Sequence, residues 1–300
     1  MRRGHWSFVA AVLLAVCVTR ARGAEGAQIG VAVSSEAPAF EDALSAFQKA
    51  LGVDGHRVFL IKLDDPGGSS SPAAAKSPVV VAFGSRAAER LALTDPSVPL
   101  VTTMVLEDAM ALGKSPQSVS TISLSVSPAL ILSKLKSAFP ERRRLAVLVR
   151  PNSGPSRGSL IATAQRLGYV LEIIECASAK DVLAAFATLR GKVDFVWCLP
   201  DSVLFPAGAI PPILLASIRN ELPVIGFSEG FVRAGAAVGF FPDYADIGVQ
   251  TAEVVKRVLA KQDTSRMEFP RKVRMAVNDR VLRILGMDRP KLSDEVLIIR

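Results

Sequence analysis

Gly226-Phe227-Ser228-Glu229-Gly230 has the Gly-x-Ser-x-Gly spacing that sets a nucleophilic serine on a sharp turn, and an apolar strand from Pro223 to Phe227 leads into it. On that type of fold the serine needs a histidine later in the chain to take its proton. The sequence has two histidines, His5 and His56, and both come earlier. A serine hydrolase of this kind is excluded, and the motif reads as a strand-end loop whose glycines allow turning.

Gly113-Lys114-Ser115 ends like a phosphate-binding loop, but Asp108 stands where that loop's first glycine belongs. No Gly-x-Gly-x-x-Gly follows a strand, so no dinucleotide cradle is expected. His56 and the separated Cys176 and Cys198 do not make a metal-ligand set, and no cofactor is expected. Asp64-Asp65 reads as a turn after a strand. What remains is hydroxyls, amides and carboxylates at strand ends, an inventory suited to binding and not to turnover.

Residues 1–24 carry a different signal. Arg2 and Arg3 precede an apolar run from Phe8 to Val18, and Ala21, Gly23 and Ala24 follow as small residues for cleavage. The run is short for a membrane span and has the order of a secretory signal peptide, which predicts a periplasmic or otherwise extracytoplasmic mature chain. An uncleaved anchor is the rival reading. Leu14-Ala15-Val16-Cys17 resembles a lipoprotein cleavage box, but Val16 occupies a small-residue position, so lipid on Cys17 is not expected.

The 36 basic residues include Arg2, Arg3, Arg20 and Arg22; without those four, 32 stand against 28 acidic residues, a balance of +4. Spread over the mature chain, that charge is no nucleic-acid footprint. Arg142-Arg143-Arg144 reads as the solvated start of the next strand. Cys176 and Cys198 lie near the ends of two different strands, where a disulfide is possible but apolar filling is the simpler role.

The elements that would position these residues alternate in two blocks. In the first, strands are expected at Gln28–Val33, Arg57–Leu63, Val79–Phe83 and Val98–Val105, with helices marked by Phe40, Leu44, Phe47 and Leu51 and by Arg86 to Leu93. Asp64 to Pro78 is a thin connection, and Gln117 to Ser127, alternating Ser or Thr with Val, Ile and Leu, reads as an exposed linker.

In the second block, strands are expected at Leu145–Val149, Tyr169–Glu175, Phe195–Leu199, Pro223–Phe227 and Ala236–Phe241. Ser178 and Asp181 form a capping box before a helix. The stretch from Leu222 to Leu259 supplies a strand, a possible crossing between lobes and a helix bearing Ile247, Thr251, Val254, Val255 and Val258 on one face. Two doubly wound parallel-sheet α/β lobes follow from this alternation, and such lobes bind at the carboxyl ends of their strands.

Pro223-Val224-Ile225, Phe231-Val232-Arg233-Ala234-Gly235, Pro242-Asp243-Tyr244-Ala245-Asp246-Ile247-Gly248, Val277-Asn278 and Ser293-Asp294-Glu295-Val296 carry a resemblance. With Phe139-Pro140 and Leu145 to Asn152, they make the chain from Ser34 to nearly its end resemble the periplasmic substrate-binding proteins of ABC transporters. The likeness is to the type I fold and its tryptophan/tyrosine branch. Two departures lie in the first lobe: a short Asp64–Pro78 connection, and Ser115-Pro116-Gln117-Ser118 in place of a glycine-rich approach.

The resemblance implies lobe one at 28–120 plus 242–268, lobe two at 121–241 plus 269–300, crossing hinge segments between them, and a ligand in the cleft. Its strand-end polar residues then become candidates. Ser34, Ser35, Gly84, Ser85 and Thr103 belong to lobe one, and Asn152, Ser153, Ser156 and Ser228 to lobe two, for a carboxylate or other polar group. Asp201 or Glu229 would hold an ammonium. Trp197 reads as core, although it could stack a ring. The implied partners are a small-molecule solute, with amino acids among the candidates, and an ABC permease, with the protein itself a monomer. A degenerate binding fold serving as a periplasmic sensor or interaction partner is the alternative.

Overall fold

The computed structural model describes residues 26–63, 76–93, 97–106, 118–290 and 296–300. The leader with Cys17, Asp64-Asp65 with most of the thin connection, and Gly113-Lys114-Ser115 lie outside the described residues.

Strands are β1 (Gln28–Val33), β2 (Arg57–Leu60), β3 (Val80–Phe83), β4 (Leu100–Val105), β5 (Ser118–Ser123), β6 (Arg144–Val149), β7 (Val170–Glu175), β8 (Phe195–Cys198), β9 (Val224–Gly226), β10 (Val238–Pro242), β11 (Met267–Glu268), β12 (Val273–Asn278) and β13 (Val296–Ile299). Helices are α1 (Pro38–Gly52), α2 (Ser85–Leu91), α3 (Pro128–Ala138), α4 (Arg157–Arg166), α5 (Ala179–Leu189), α6 (Ile210–Arg219), α7 (Glu229–Arg233), α8 (Tyr244–Leu259) and α9 (Asp279–Ile284).

They form two sheets. The first runs β11-β5-β4-β3-β1-β2, with every pairing parallel. The second runs β13-β12-β10-β9-β8-β6-β7, parallel from β10 to β7, while β12 pairs antiparallel with β10 and β13 follows β12. The expected wholly parallel second sheet is therefore mixed at one edge, where the chain returns from the first lobe in the opposite direction.

The inner strands of each sheet are buried on both faces, which is why β3, β8 and the body of β6 are apolar without alternation. In β6, Leu145, Val147 and Val149 meet α3, α4 and α9, while Ala146 and Leu148 meet α5, α6 and α7. The same division puts Val81 and Phe83 under α1 and α8, and Val80 and Ala82 under α2. Burial of each large apolar side chain is worth about 1.5–3 kcal/mol, so two such layers stabilise each lobe. Phe47 of α1 and Phe83 of β3 meet edge to face at 5.4 Å.

Helices α1 and α8 pack backbone to backbone at Gly248, where an added Cβ would stand 2.0 Å from the Ala43 carbonyl oxygen. Lys256 fastens the far end, donating to the Ala50 carbonyl at 3.0 Å and pairing with Asp54 at 2.6 Å. The capping box predicted before α5 is formed by Ser178 and Asp181.

The expected linker is corrected as well. Gln117 to Ser127 is not an exposed linker: β5 occupies 118–123 inside the first sheet, and Ser120, Thr121, Ile122 and Ser123 are buried. The polar half of its alternation is satisfied within the protein. Thr102 Oγ1 donates to Thr121 Oγ1 at 2.8 Å, and Ser120 Oγ donates to the Ser265 carbonyl at 2.7 Å. Alternation alone does not separate a half-exposed strand from one whose hydroxyls find buried partners.

The chain crosses between sheets just after β5, just after β10, and between β11 and β12. The last two crossings run together, with Asp243 N–H donating to the Lys272 carbonyl at 3.0 Å. A polar stripe on α8 holds them. Gln250 donates to Glu268 and to the Phe269 carbonyl at 2.9 and 3.2 Å, and Arg271 and Lys272 approach the buried Asp246 at 3.6 and 3.2 Å.

Candidate functional site

In an open parallel sheet, a crevice forms where two neighbouring strands send their following segments to opposite sides. In the second sheet that point lies between β6 and β8, since β6 leads outward to β7 and β8 leads the other way to β9. Arg150 follows β6 and Asp201 follows β8. Arg150 Nε donates to Asp201 Oδ2 at 2.8 Å, so the pair bridges the crevice.

Both ends of the pair are anchored. Asp201 Oδ1 accepts from the backbone N–H of Val203 at 2.8 Å and of Leu204 at 3.0 Å. Arg150 Nη2 donates to Ser153 Oγ at 3.0 Å, and Arg157 Nη2 donates to the Arg150 carbonyl at 2.9 Å. Arg157 is itself paired with Glu175 at 2.8 Å. Around the pair lies a cavity of about 50 Å³ with a mostly apolar wall that includes Trp197, Leu204, Phe227 and Phe240 of the second lobe and Leu106 and Leu124 of the first.

A vestibule of about 290 Å³ adjoins it, sharing Leu106, Leu124, Asp201 and Phe227 and adding Phe205, Ser228 and Tyr244. Both lobes thus contribute walls at the hinge. Tyr244 opens α8 of the first lobe; burial raises its hydroxyl pKa, and the Glu229 carboxylate of the second lobe raises it further. Met104, just before this region, has φ +56 at an irregularity where β4 and β5 shift register. A left-handed non-glycine residue at a sheet's binding edge is strained backbone of the sort found at functional sites.

In the first sheet the switch point lies between β1 and β3. Ser34 Oγ there accepts from Ala87 N–H at 2.9 Å, and Ser34 N–H donates to the Phe83 carbonyl at 2.9 Å. Gly84 has φ +87 and ψ 166, and a Cβ on it would lie 2.7 Å from Ser34 Oγ. Ser85 is the first residue of α2, and Ser35 Oγ accepts from Ala37 N–H at 3.1 Å. Ser34 and Ser35 line a separate open groove of about 610 Å³ beside Phe40 and Lys62.

The candidates therefore divide. Ser153, Asp201 and Ser228 line the hinge cavities, while Ser34, Ser35, Gly84 and Ser85 cluster at the first lobe's switch point, and the two grooves share no lining residue. Thr103 is corrected: it is fully buried, with Thr251 Oγ1 at 2.9 Å from its hydroxyl, and serves the packing of α8 on the first sheet. Asn152 is exposed in a turn at φ +58, and Ser156 stands at the N-cap of α4 without a side-chain capping bond. Ser228 Oγ caps α7 by accepting from Phe231 N–H at 3.1 Å. Glu229 pairs with Arg233 at 2.5 Å, one turn along the same helix.

Sequence reasoning missed Arg150. The available signal was a charged residue directly after a strand of five buried apolar residues, at the switch point. His56 lies at the opposite edge of the first lobe, where its Nδ1 accepts from Ala27 N–H at 3.0 Å. Both cysteines are buried free thiols; burial pushes Cys176 up to about 11 and Cys198 further still, so neither is a poised nucleophile. Trp197 is a core residue, 1 % exposed, whose ring also walls the cavity.

Solved structures share the fold. A ligand-free, open substrate-binding protein with adhesive properties, CD0873 of Clostridium difficile, superposes with a TM-score of 0.70 at 22 % identity, covering 91 % of this chain and 99 % of that one. A conserved domain protein of Vibrio cholerae gives 0.63 at 20 %, covering 91 % and 99 %. A domain of a Streptococcus pneumonia ABC protein in complex with L-Trp gives 0.60 at 18 %, covering 91 % and 100 %. No curated protein is significantly similar in sequence. Residues 28–297 match the family model described as ABC transporter substrate binding protein. With two α/β lobes of the type I binding-protein arrangement and a cleft at their hinge, this chain belongs to the family of ABC transporter substrate-binding proteins.

Proposed function

We propose that this protein captures a small organic solute between its lobes, without chemical turnover, and delivers it to an ABC permease, acting as a monomer outside the cytoplasm. The observation that carries this reading is the hinge cavity: apolar walls from both lobes surround one anchored ion pair at the second sheet's switch point. A ligand site is normally a concave apolar surface with a few fixed polar groups. The present cavity is smaller than a solute needs, so capture involves rearrangement of the lobes about the crossings, a shift between open and closed populations. A neighbour's L-Trp complex places amino acids among the first solutes to try.

Isothermal titration of the folded protein against amino acids and related organic acids tests the reading. One solute should bind one to one with a dissociation constant of about micromolar or tighter. A flat response across the panel contradicts capture. Cross-linking in the native envelope tests delivery: a permease subunit should be recovered, and a different membrane partner alone would favour a sensor role.

A further inference from the structure

Three segments join the lobes, and in each the contacts change from one lobe to the other over a few residues. In the first crossing, Leu124 packs with the first lobe's core and its N–H donates to the Val105 carbonyl at 2.9 Å, whereas Val126 is buried in the second lobe's core. Ser125 alone lies between. In the second, Phe241 is buried in the second lobe and Tyr244 packs against the first. Asp243 caps α8 by accepting from Asp246 N–H at 3.0 Å, which puts it with the first lobe. In the third, Glu268 pairs with Ile122 in the first sheet and Val273 is buried in the second lobe. Pro242 and Val273 face each other as the end pair of β10 and β12, so the second and third crossings leave the second sheet side by side.

Residues 269–272 belong by sequence to neither lobe, but α8 of the first lobe grips them. Positions 246, 250, 253 and 257 recur at helical spacing and share one side of α8. Gln250 donates to the Glu268 carboxylate and to the Phe269 carbonyl, and Arg257 pairs with Glu268 at 2.5 Å. Glu253 accepts from both Nη groups of Arg271 at 2.8 and 3.2 Å, and Asp246, its side chain 9 % exposed, meets Lys272 at 3.2 Å. Pro270 between them is buried, and its ring fixes φ. Single exposed ion pairs hold little, but a bidentate pair inside a network that includes a buried carboxylate can order a segment.

We propose that 269–272 moves as part of the first lobe, and that the lobes rotate about Ser125, the Pro242–Asp243 peptide and the Lys272–Val273 peptide. The charged side of α8 is a clasp that keeps the last two points side by side, so that the segment is carried along without flexing. This rests on the lobe rearrangement proposed above, and it moves the boundary expected before residue 269 to the start of β12.

Residual dipolar couplings of backbone N–H groups in the weakly aligned protein test this without a solute. Couplings from β1, β3, β4 and α8 orient one lobe, and those from β6, β7 and β8 orient the other. Lobes that rotate should require two alignment tensors. Asp243, Phe269, Arg271 and Lys272 should then fit the first lobe's tensor, and Val273 to Asn278 the second's. The double variant Arg271→Ala/Lys272→Ala changes two exposed side chains and should leave both lobes' fits intact. It should shrink the couplings of 269–272 and speed exchange of the Asp243 N–H, which donates to the Lys272 carbonyl, by about tenfold. A segment that fits the second lobe's tensor, or couplings and exchange unchanged in the variant, overturns the clasp and leaves solute capture standing. One tensor for the whole chain overturns the rotation itself, and with it the rearrangement proposed for capture.

Discussion

At the first lobe's switch point the chain sets a hydroxyl, Ser34, against a glycine, Gly84; at the second it sets a cation, Arg150, against a carboxylate, Asp201. The two crevices are topologically alike and chemically unlike. In the first, the polar group is consumed by the protein's own backbone, and the close approach of β1 and the β3–α2 turn leaves no room for a side chain at 84. In the second, the polar pair stands in an apolar cavity that both lobes wall. The fold offers two strand-end crevices, and the residues that meet at their switch points differ in charge.

Substitutions at the two points should separate these roles. The largest effect is expected for Asp201→Ala, which strips two backbone N–H groups of their acceptor and removes the carboxylate that meets Arg150 Nε in the cavity wall. A loss of about 3 kcal/mol in urea unfolding is expected. Gly84→Ala should follow at about 2 kcal/mol, since φ +87 with ψ 166 is a glycine conformation and the new Cβ would crowd Ser34. Ser34→Ala should cost about 1 kcal/mol through the lost bond to Ala87 N–H. Equal losses of solute affinity from Ser34→Ala and Arg150→Met would break the contrast between lobes.

The smallest effect sharpens it from outside the cleft. Asp194, at the opposite edge of the second sheet, is pulled up in pKa by burial. Hydrogen bonds from the Arg144 side chain and from the Arg143 and Arg144 backbone outweigh that and hold it below the usual carboxylate range. Its contribution to stability is full above the unfolded carboxylate pKa of about 4 and is lost as pH falls through the lowered folded value. Asp194→Asn should therefore flatten the acid limb of a stability profile while leaving solute binding at neutral pH unchanged. Calorimetric melting from about pH 2 to pH 7, with one binding titration, checks both halves.

Much of the frame was legible before any coordinates, because continuous apolar strands and 3.6-residue stripes such as Phe40, Leu44, Phe47 and Leu51 report local geometry directly. Residues 118–123 misled because buried hydroxyl pairs such as Thr102 with Thr121 look, in sequence, like solvent-facing positions. The antiparallel β12 was illegible because direction depends on how the third crossing enters the sheet, which no residue pattern near Val273 encodes. At the hinge cavity, Asp201 was a candidate from its place at a strand end, and it lines the cavity wall. Its partner was not a candidate, since pairing across 51 residues of chain depends on which strands become neighbours. Thr103 failed for the complementary reason: a hydroxyl near a strand's end can face the next helix as readily as a ligand.

Amide hydrogen exchange with and without the tightest-binding solute from the titrations tests the central claim most directly. The account predicts slowed exchange in facing segments of both lobes: 104–106 and 124–126 on one side, and 150–156, 199–204 and 226–228 on the other. Protection confined to the groove at Ser34 and Ser35, or to one lobe alone, would contradict it.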